Sequence, residues 1–296
     1  MIAFTYSAKS EQERFSLRFN ACTHDVGTWK EEVYAAARAI AEGSKKPLWV
    51  CSSGGYDSEL VCRAFYDQKI PFSVLTLEHT EGTNRYDIRF AVDWCKKNGV
   101  THKIVPIDMR KFLSDEVKKY ADRYAAVHPF RYLQFRLMEV VEEMGGYAVL
   151  GGGEQLYAAD TAKGKLARKD MYIPFSNGVV LPLQWCDDNA TEHVPYFYFT
   201  TPELCLSYIR QPIVQFALAN PDPLFRHQAN AYTLKRLVYQ SAWPDLVPRY
   251  KANGFDAIPG PLEEAREYLR KKFWSKYIPF NMPVTEFERQ LIGTPA

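Results

Sequence analysis

The chain has 296 residues, 47% hydrophobic and 24% charged, with a formal net charge of +2. That length supports one large or two moderate domains around a substantial core, and the near balance of charge excludes a globally basic nucleic-acid binder while leaving room for a local basic patch. No run of ~18 apolar residues occurs, and the opening Met1-Ile2-Ala3-Phe4-Thr5-Tyr6-Ser7 is too short and too polar for a signal peptide, so the expectation is a cytoplasmic protein without a membrane partner.

In chain order, residues 2–7 and 14–20 alternate apolar and polar side chains and predict a β-hairpin. A helix is expected from about 28 to 42, closed by Gly43, with Trp29, Val33, Ala36, Ala37 and Ile40 as its buried stripe. No chemistry is read in this forepart, residues 1–46, which should pack on the core.

The stretch Leu48-Trp49-Val50-Cys51-Ser52-Ser53-Gly54-Gly55-Tyr56-Asp57-Ser58 then runs from a short apolar strand through a glycine turn into a helix marked by Leu60, Val61, Ala64 and Phe65. Adjacent glycines let the backbone approach an anion, and the following helix aims its free N–H groups and dipole at it. Ser52, Ser53 and Ser58 add hydroxyl groups. Asp57 would repel a polyphosphate unless a divalent cation lies between them, so the implied ligands are ATP and Mg2+.

Further strands are expected at 72–77, 103–107 and 147–150, alternating with helices at 84–97, about 109–126 and 130–144. This alternation predicts an α/β fold with a doubly wound, mostly parallel sheet, whose ligands collect at the carboxyl ends of the strands. The segments 52–58, 78–81 and 151–154 all fall on that edge. Main-chain atoms near Leu77 would read an adenine edge, His79 is read as a solvated loop residue, and Gly152 and Gly153 permit close approach to phosphate while Glu154 shares the metal with Asp57.

Ser53-Gly54-Gly55-Tyr56-Asp57-Ser58 resembles the S-G-G-x-D-S signature of the PP-loop ATP pyrophosphatases, and is not a Walker A loop because no Gly-Lys-Ser/Thr follows. The order of features from about 47 to 255 is similar to the synthetase domain of the asparagine synthetase and β-lactam synthetase family. Gly151-Gly152-Gly153-Glu154-Gln155-Leu156-Tyr157 lies over that family's acidic glycine segment, with Glu154 on its aspartate, Gln155 on its glutamate and Gly151 in place of its first acid. Trp243-Pro244-Asp245-Leu246-Val247-Pro248-Arg249-Tyr250-Lys251-Ala252-Asn253-Gly254-Phe255 resembles its Leu-Pro-x-x-Ile-x-x-Arg-x-Lys-x-Gly-Phe stretch. Arg236 falls on the arginine of its Lys-x-x-Leu-Arg motif, while the catalytic lysine falls on Tyr232, with Lys235 about one turn away.

The resemblance implies an adenine nucleotide α-hydrolase-like fold and an AMP-forming, amide-forming ligase. In it, Arg236, Arg249, Lys251 and Lys235 would stabilise departing pyrophosphate. Position 2 is Ile2, not the cysteine nucleophile of glutamine-dependent members, so the nitrogen would come from ammonia, another amine, an intramolecular nucleophile or a donor partner protein. The acceptor would be a small molecule or nucleotide. Two alternatives stand beside this reading: a PP-loop enzyme modifying a nucleobase or tRNA, and a nucleotide-binding regulator with altered catalysis, which the changes at Gly151, Glu154 and Tyr232 favour.

Cys22, Cys51, Cys62, Cys95, Cys186 and Cys205 are widely spaced, mostly within apolar runs, and read as buried hydrophobes without disulfides. The lack of a Cys-x-x-Cys counts against the branches that carry sulfur through paired thiols or bear zinc.

Residues 47–157 would form the nucleotide-binding core and 158–296 a mostly helical substrate side with an insertion. In that insertion, Lys163, Lys165, Arg168 and Lys169 near Tyr196-Phe197-Tyr198-Phe199 are read as a solvated basic face, with nucleic acid as a less favoured partner. Helices are expected at Thr201-Pro202-Glu203, with Thr201 as cap, and at 232–240 and 261–277, before an extended tail over 278–296 without chemistry.

Overall fold

The computed structural model describes residues 2–7, 15–225, 229–250, 252 and 254–294. The alternating opening residues form an antiparallel hairpin of β1 (Phe4–Ser7) and β2 (Ser16–Phe19), with Phe4 opposite Phe19. Helix α1 (Trp29–Gly43) starts at a capping box in which the Thr28 hydroxyl accepts from Glu31 N and the Glu31 carboxylate accepts from Thr28 N.

The apolar segments β3 (Leu48–Cys51), β4 (Ser73–His79), β5 (His102–Ile107) and β6 (Tyr147–Leu150) pair in the order β5-β4-β3-β6, all parallel. Between them run α2 (Tyr56–Asp67), α3 (Arg85–Asn98), the short α4 (Met109–Lys111) and α5 (Val117–Ala121) joined by a π-helical turn at Phe112–Glu116, and α6 (Phe130–Glu143). The helix expected to reach residue 126 stops at Ala121, and the chain beyond is held by the buried Tyr132 hydroxyl, which donates to Tyr124 O at 2.6 Å.

Both faces of the sheet are covered, as parallel sheets require. Tyr147 and Val149 enter the core under the hairpin, α1 and α2, while Ala148 and Leu150 enter the core under α6 and the later helices. Strand order reverses at β3: the chain steps outward to β4 and β5, then returns to the other side of β3 as β6. The carboxyl ends of β3 and β6 therefore flank the switch point where such sheets bind ligands.

The remainder comprises β7 (Ala158–Ala159), β8 (Met171–Ser176), α7 (Leu181–Asp188), α8 (Pro202–Ile209), α9 (Pro212–Ala219), α10 (Pro221–Phe225), α11 (Ala229–Ala242), α12 (Pro259–Phe273), β9 (Pro279–Pro283) and α13 (Val284–Ile292). Thr201 caps α8 by accepting from Leu204 N, as its sequence predicts.

The tail departs from expectation. β9 pairs with β8, and α13 buries Val284, Phe287 and Leu291, with Phe287 edge-on to Phe19 of the hairpin at 4.6 Å. The spacing of those three residues is that of one helical face, closed by Gly293 at φ 78°. The core under the hairpin thus draws on the first, middle and last thirds of the chain. Among the described residues, no helix is long and apolar enough to cross a membrane.

Candidate functional site

At the end of β3 the backbone turns through Gly54 at φ +76°, and a Cβ there would lie 2.0 Å from the Asp87 carbonyl oxygen. Only glycine fits. Gly55 is the N-cap of α2 and supplies no side-chain acceptor, so the cap leaves the first-turn N–H groups to other partners. Ser52 and Ser58 brace the turn itself: their hydroxyls are 3.2 Å apart and buried, Ser58 Oγ donates to Gly55 O, and Thr76 Oγ1 donates to Ser52 O at 2.8 Å. Ser53 is exposed and lines the adjoining cavity.

The turn after β6 packs directly on this loop. A Cβ on Gly151 would lie 3.0 Å from the Asp57 backbone, and one on Gly152 would lie 2.7 Å from Pro195 O. No helix follows; the chain runs on to β7. Gln155 turns inward, donating to Cys205 O at 2.7 Å and accepting from Tyr157 OH, so it does not face the site. Gly54 and Gly153 form no part of the cavity wall, Gly54 packing on α3 and Gly153 on the Phe199 ring.

Asp57 is held on three sides. Lys235 Nζ lies within 2.7 Å of both carboxylate oxygens, the Tyr239 hydroxyl donates to Oδ1 at 2.6 Å, and Tyr198 OH donates to the Asp57 carbonyl at 2.8 Å. Glu154 Oε1 is 3.6 Å from the same ammonium. Burial first, and then the charge of Asp57, pushes the Tyr239 and Tyr198 phenols well above their ordinary range, so both remain donors. Trp29 stacks on Tyr239 at 5.2 Å and 15°, linking α1 to the site; the forepart therefore carries a supporting role that its sequence does not show.

Between these elements lies a cavity of about 410 Å³. One end, at the two turns, is polar, with Ser53, Gly55, Asp57, Gly152 and Glu154. The other, at β4 and α6, is mostly apolar, with Leu77, Leu133, Leu137 and the rings of Phe130 and Phe255 beside the polar His79, Asn84 and Gln134. Leu77 lines this end, and its carbonyl accepts from Asn84 Nδ2 at 2.9 Å. His79 is not a solvated loop residue: it ends β4, is buried, hydrogen-bonds Thr83 Oγ1 through Nδ1 at 2.7 Å, and lines the cavity, with burial pulling its pKa below the ordinary value.

The expected basic residues separate. Lys235 enters the site. Arg236, one residue later on α11, is exposed, because a helix turns successive side chains about 100° apart. Arg249 is buried behind the loop, its Nη2 lying 2.6 Å from Glu59 Oε2 in a geometry too bent for a full hydrogen bond, and its guanidinium 4.8 Å from the Tyr56 ring. It braces α2 from outside the main cavity. Lys251 lies outside the described residues. Of the insertion's basic cluster, Arg168 pairs with Glu288 of α13 at 2.6 Å and Lys163 with Asp170 at 3.1 Å.

Tyr239 had a signal in the sequence, standing four residues after Lys235 on one helical face. Tyr198 and Trp29 had none. Burial drives the Cys51, Cys62 and Cys205 thiols well above their usual range and Cys95 up to about 12, which disfavours thiolate chemistry at these positions.

Asp57 and Glu154 both face the Lys235 ammonium, so Mg2+, which is held by one or two carboxylates with phosphate oxygens and water, would take that ammonium's place beside Asp57. Among the described residues, no cluster of three or more metal-ligating side chains is present.

No family model matches the chain. A tRNA-cytidine(32) 2-sulfurtransferase from Hyphomonas neptunium is 33% identical over 86 residues, covering 27% of this chain and 29% of that protein, so the chain spans under a third of the curated relative it matches. Among solved structures, it is similar to an NH3-dependent NAD synthetase from Campylobacter jejuni (TM-score 0.36, 14% identity, 75% of this chain and 96% of that one). An NMN synthetase from Francisella tularensis (TM-score 0.35, 9% identity, 82% and 92%) and a U34-tRNA thiolase from Methanococcus maripaludis (TM-score 0.34, 13% identity, 76% and 84%) are similar to the same degree.

Proposed function

We propose that the protein is an ATP-dependent enzyme of the PP-loop type that transfers the adenylyl group of ATP to an acceptor oxygen and releases pyrophosphate. The observation that carries this reading is the convergence of Asp57, Glu154 and Lys235 beside a glycine-built helix N-terminus at the switch point of the sheet.

The polar end of the cavity would receive the triphosphate, with Ser53, Gly55 and the first N–H groups of α2 facing it, and the apolar end beside Leu77 would receive the base. Asp57 and Glu154 would hold Mg2+, which when bound offsets the charge of the phosphates. As the acceptor oxygen attacks the α-phosphorus, the bond to the bridging oxygen breaks and its electrons leave with pyrophosphate. Lys235, which reaches Asp57, would donate to the oxygens that gain that charge. Tyr239 and Tyr198 hold Asp57 in place.

A nitrogen nucleophile would then displace AMP from an activated carboxylate, as the resemblance to asparagine synthetases implies. Lys235 supplies the cation that Tyr232 does not, which supports an enzyme over a regulator. A second reading, in which the activated oxygen belongs to an RNA base, draws support from the 86-residue similarity to a tRNA-cytidine(32) 2-sulfurtransferase.

The test is exchange of labelled pyrophosphate into ATP, screened over amino acids, nucleotides and short nucleic acids, with Asp57→Asn as control. Acceptor-dependent exchange lost in the control is expected. ATP binding without exchange under every condition would overturn the reading.

A further inference from the structure

Two rings that line the cavity, Phe130 and Phe255, pack against each other with centroids 4.5 Å apart. Phe130 is 39% exposed there, and the Arg266 guanidinium stands over its outer side at 5.9 Å. The surface around Phe130 is basic. Arg131 follows Phe130 at the start of α6, and Arg266 and Arg270 come from α12. These three cations crowd His128, whose pKa is lowered first by burial and then by their charge.

The patch continues through the last turn of α12 with Lys271 and past its end with Lys276, both exposed, Trp274 standing between them in the chain. Trp274 is 61% exposed and stacked on Tyr277 at 5.6 Å and 17°. Asn177 Nδ2 donates to Lys276 O, and the adjoining Gly178 packs against Arg131, which closes this surface back onto α6.

Acidic groups answer only part of this charge: Glu263 pairs with Arg266 and Asp122 with Lys272, while Glu264 and Glu267 are exposed on the same helix, Glu267 three and four residues before Arg270 and Lys271. Among the described residues, no acidic side chain lies within ion-pair distance of Arg131, Arg270, Lys271 or Lys276. Cations in the last turn of α12 also offset its dipole, but that does not account for Lys276, which lies outside that helix, or for the exposed indole two residues before it.

We infer that this basic and aromatic face is a docking surface for single-stranded nucleic acid, with Arg270, Lys271 and Lys276 on the phosphates, Trp274 stacked on a base, and the strand running toward the exposed Phe130 ring. Spaced phosphates with flat bases between them match cations interleaved with an exposed indole, whereas a simple anion has nothing for the ring to bind. The chain as a whole is nearly neutral, so the charge is local to this face. The chemistry after docking rests on the adenylating reading: the acceptor would be a base of that strand.

The test uses the full chain and fluorescein-labelled mixed-sequence single strands of about 20 nucleotides, RNA and DNA, read by anisotropy between about 50 and 200 mM salt. Binding should weaken with salt at a log–log slope of about −2 to −4, as expected for three to six neutralised phosphates. The triple variant Arg270→Glu, Lys271→Glu, Lys276→Glu should weaken binding at least ~tenfold and flatten the slope. Trp274→Ala should weaken it roughly tenfold at an unchanged slope. Thermal melts confirm that the variants fold, and a fluorescent ATP analogue checks the cavity in each.

Absence of binding, or inorganic polyphosphate competing as well as the oligonucleotide together with no effect of Trp274→Ala, would overturn the inference. Loss of oligonucleotide binding with ATP binding intact bears on this surface alone. Failure of the wild type to bind ATP would instead count against the proposed function.

Discussion

The Lys235 ammonium lies within 2.7 Å of both carboxylate oxygens of Asp57, across 178 residues of sequence. The pair is largely buried, with side-chain exposures of 10% and 22%, and Glu154 stands 3.6 Å away as a second acid facing the same charge. A lysine in that position offsets the charge of the loop's carboxylate, beside a cavity that Asp57 and Glu154 line.

Lys235→Met should therefore reduce pyrophosphate exchange by about 100-fold or more, the usual effect of removing one preorganised donor to a developing charge. ATP binding, measured by calorimetry, should fall much less. Equal losses in both would show that Lys235 contributes ordinary ground-state binding.

Tyr239→Phe removes the donor to Asp57 Oδ1 and leaves the ring stacked on Trp29. A hydrogen bond to a charged group is worth about 1.5–3 kcal/mol, so thermal stability should drop by a measurable part of that. Because Tyr239 acts through Asp57, the exchange rate should fall at little change in ATP affinity. A stability loss with unchanged exchange would confine its role to structure.

Gly54→Ala places a Cβ at φ +76° and 2.0 Å from the Asp87 carbonyl oxygen. The loop must shift off α3, at a cost of at least about 2 kcal/mol, and nucleotide binding should be lost. Chemical denaturation and calorimetry read the two effects. Gly153, whose φ of +87° is equally unsuited to a side chain, packs on Phe199 outside the cavity wall, so Gly153→Ala should cost stability more than binding.

Arg249→Met leaves Glu59 short of one of its two cations in a buried setting, and should destabilise by about 3–5 kcal/mol. Adding Glu59→Leu should recover much of that loss, since Arg63 keeps Asp245 at 2.8 Å. Recovery of stability in the double variant marks Arg249 as a brace of α2. A loss of exchange in a fully stable single variant would restore a role for it in chemistry.

His193 is enclosed by β6 and α7, accepting from Ala148 N at 3.1 Å, and burial lowers its pKa from 6.5 to about 4 against the pull of Glu142. The folded state thus binds fewer protons than the unfolded state in that window. Stability is fully present above 6.5 and is lost as pH falls toward about 4. Urea midpoints across that window should slope downward with acid, and His193→Asn should make the slope shallower; an unchanged slope would assign it to other groups, such as His79 and His102, whose pKa values are also lowered by burial.

Much of this molecule is local in origin and so readable along the chain. The strand, the paired glycines, Asp57 and the apolar stripe of α2 are contiguous, and each element follows from the period of its own side chains. The parallel sheet, the hairpin and the capped helices are legible for the same reason. The C-terminal helix carried its own signal in Val284, Phe287 and Leu291, hidden behind Pro279, which opens the stretch and suggests an extended tail.

The sequence by itself determined the loop and the sheet edge on which it opens, because backbone conformation and amphipathic period are properties of neighbours in the chain. Only the tertiary structure decided which distant side chains share that edge. It brought Lys235 and Tyr239 to Asp57, sent Arg236 to solvent and Arg249 behind α2, and stacked Trp29 under the site. Those choices depend on how α11 packs against α1 and α2, and no pattern within any one segment records that packing.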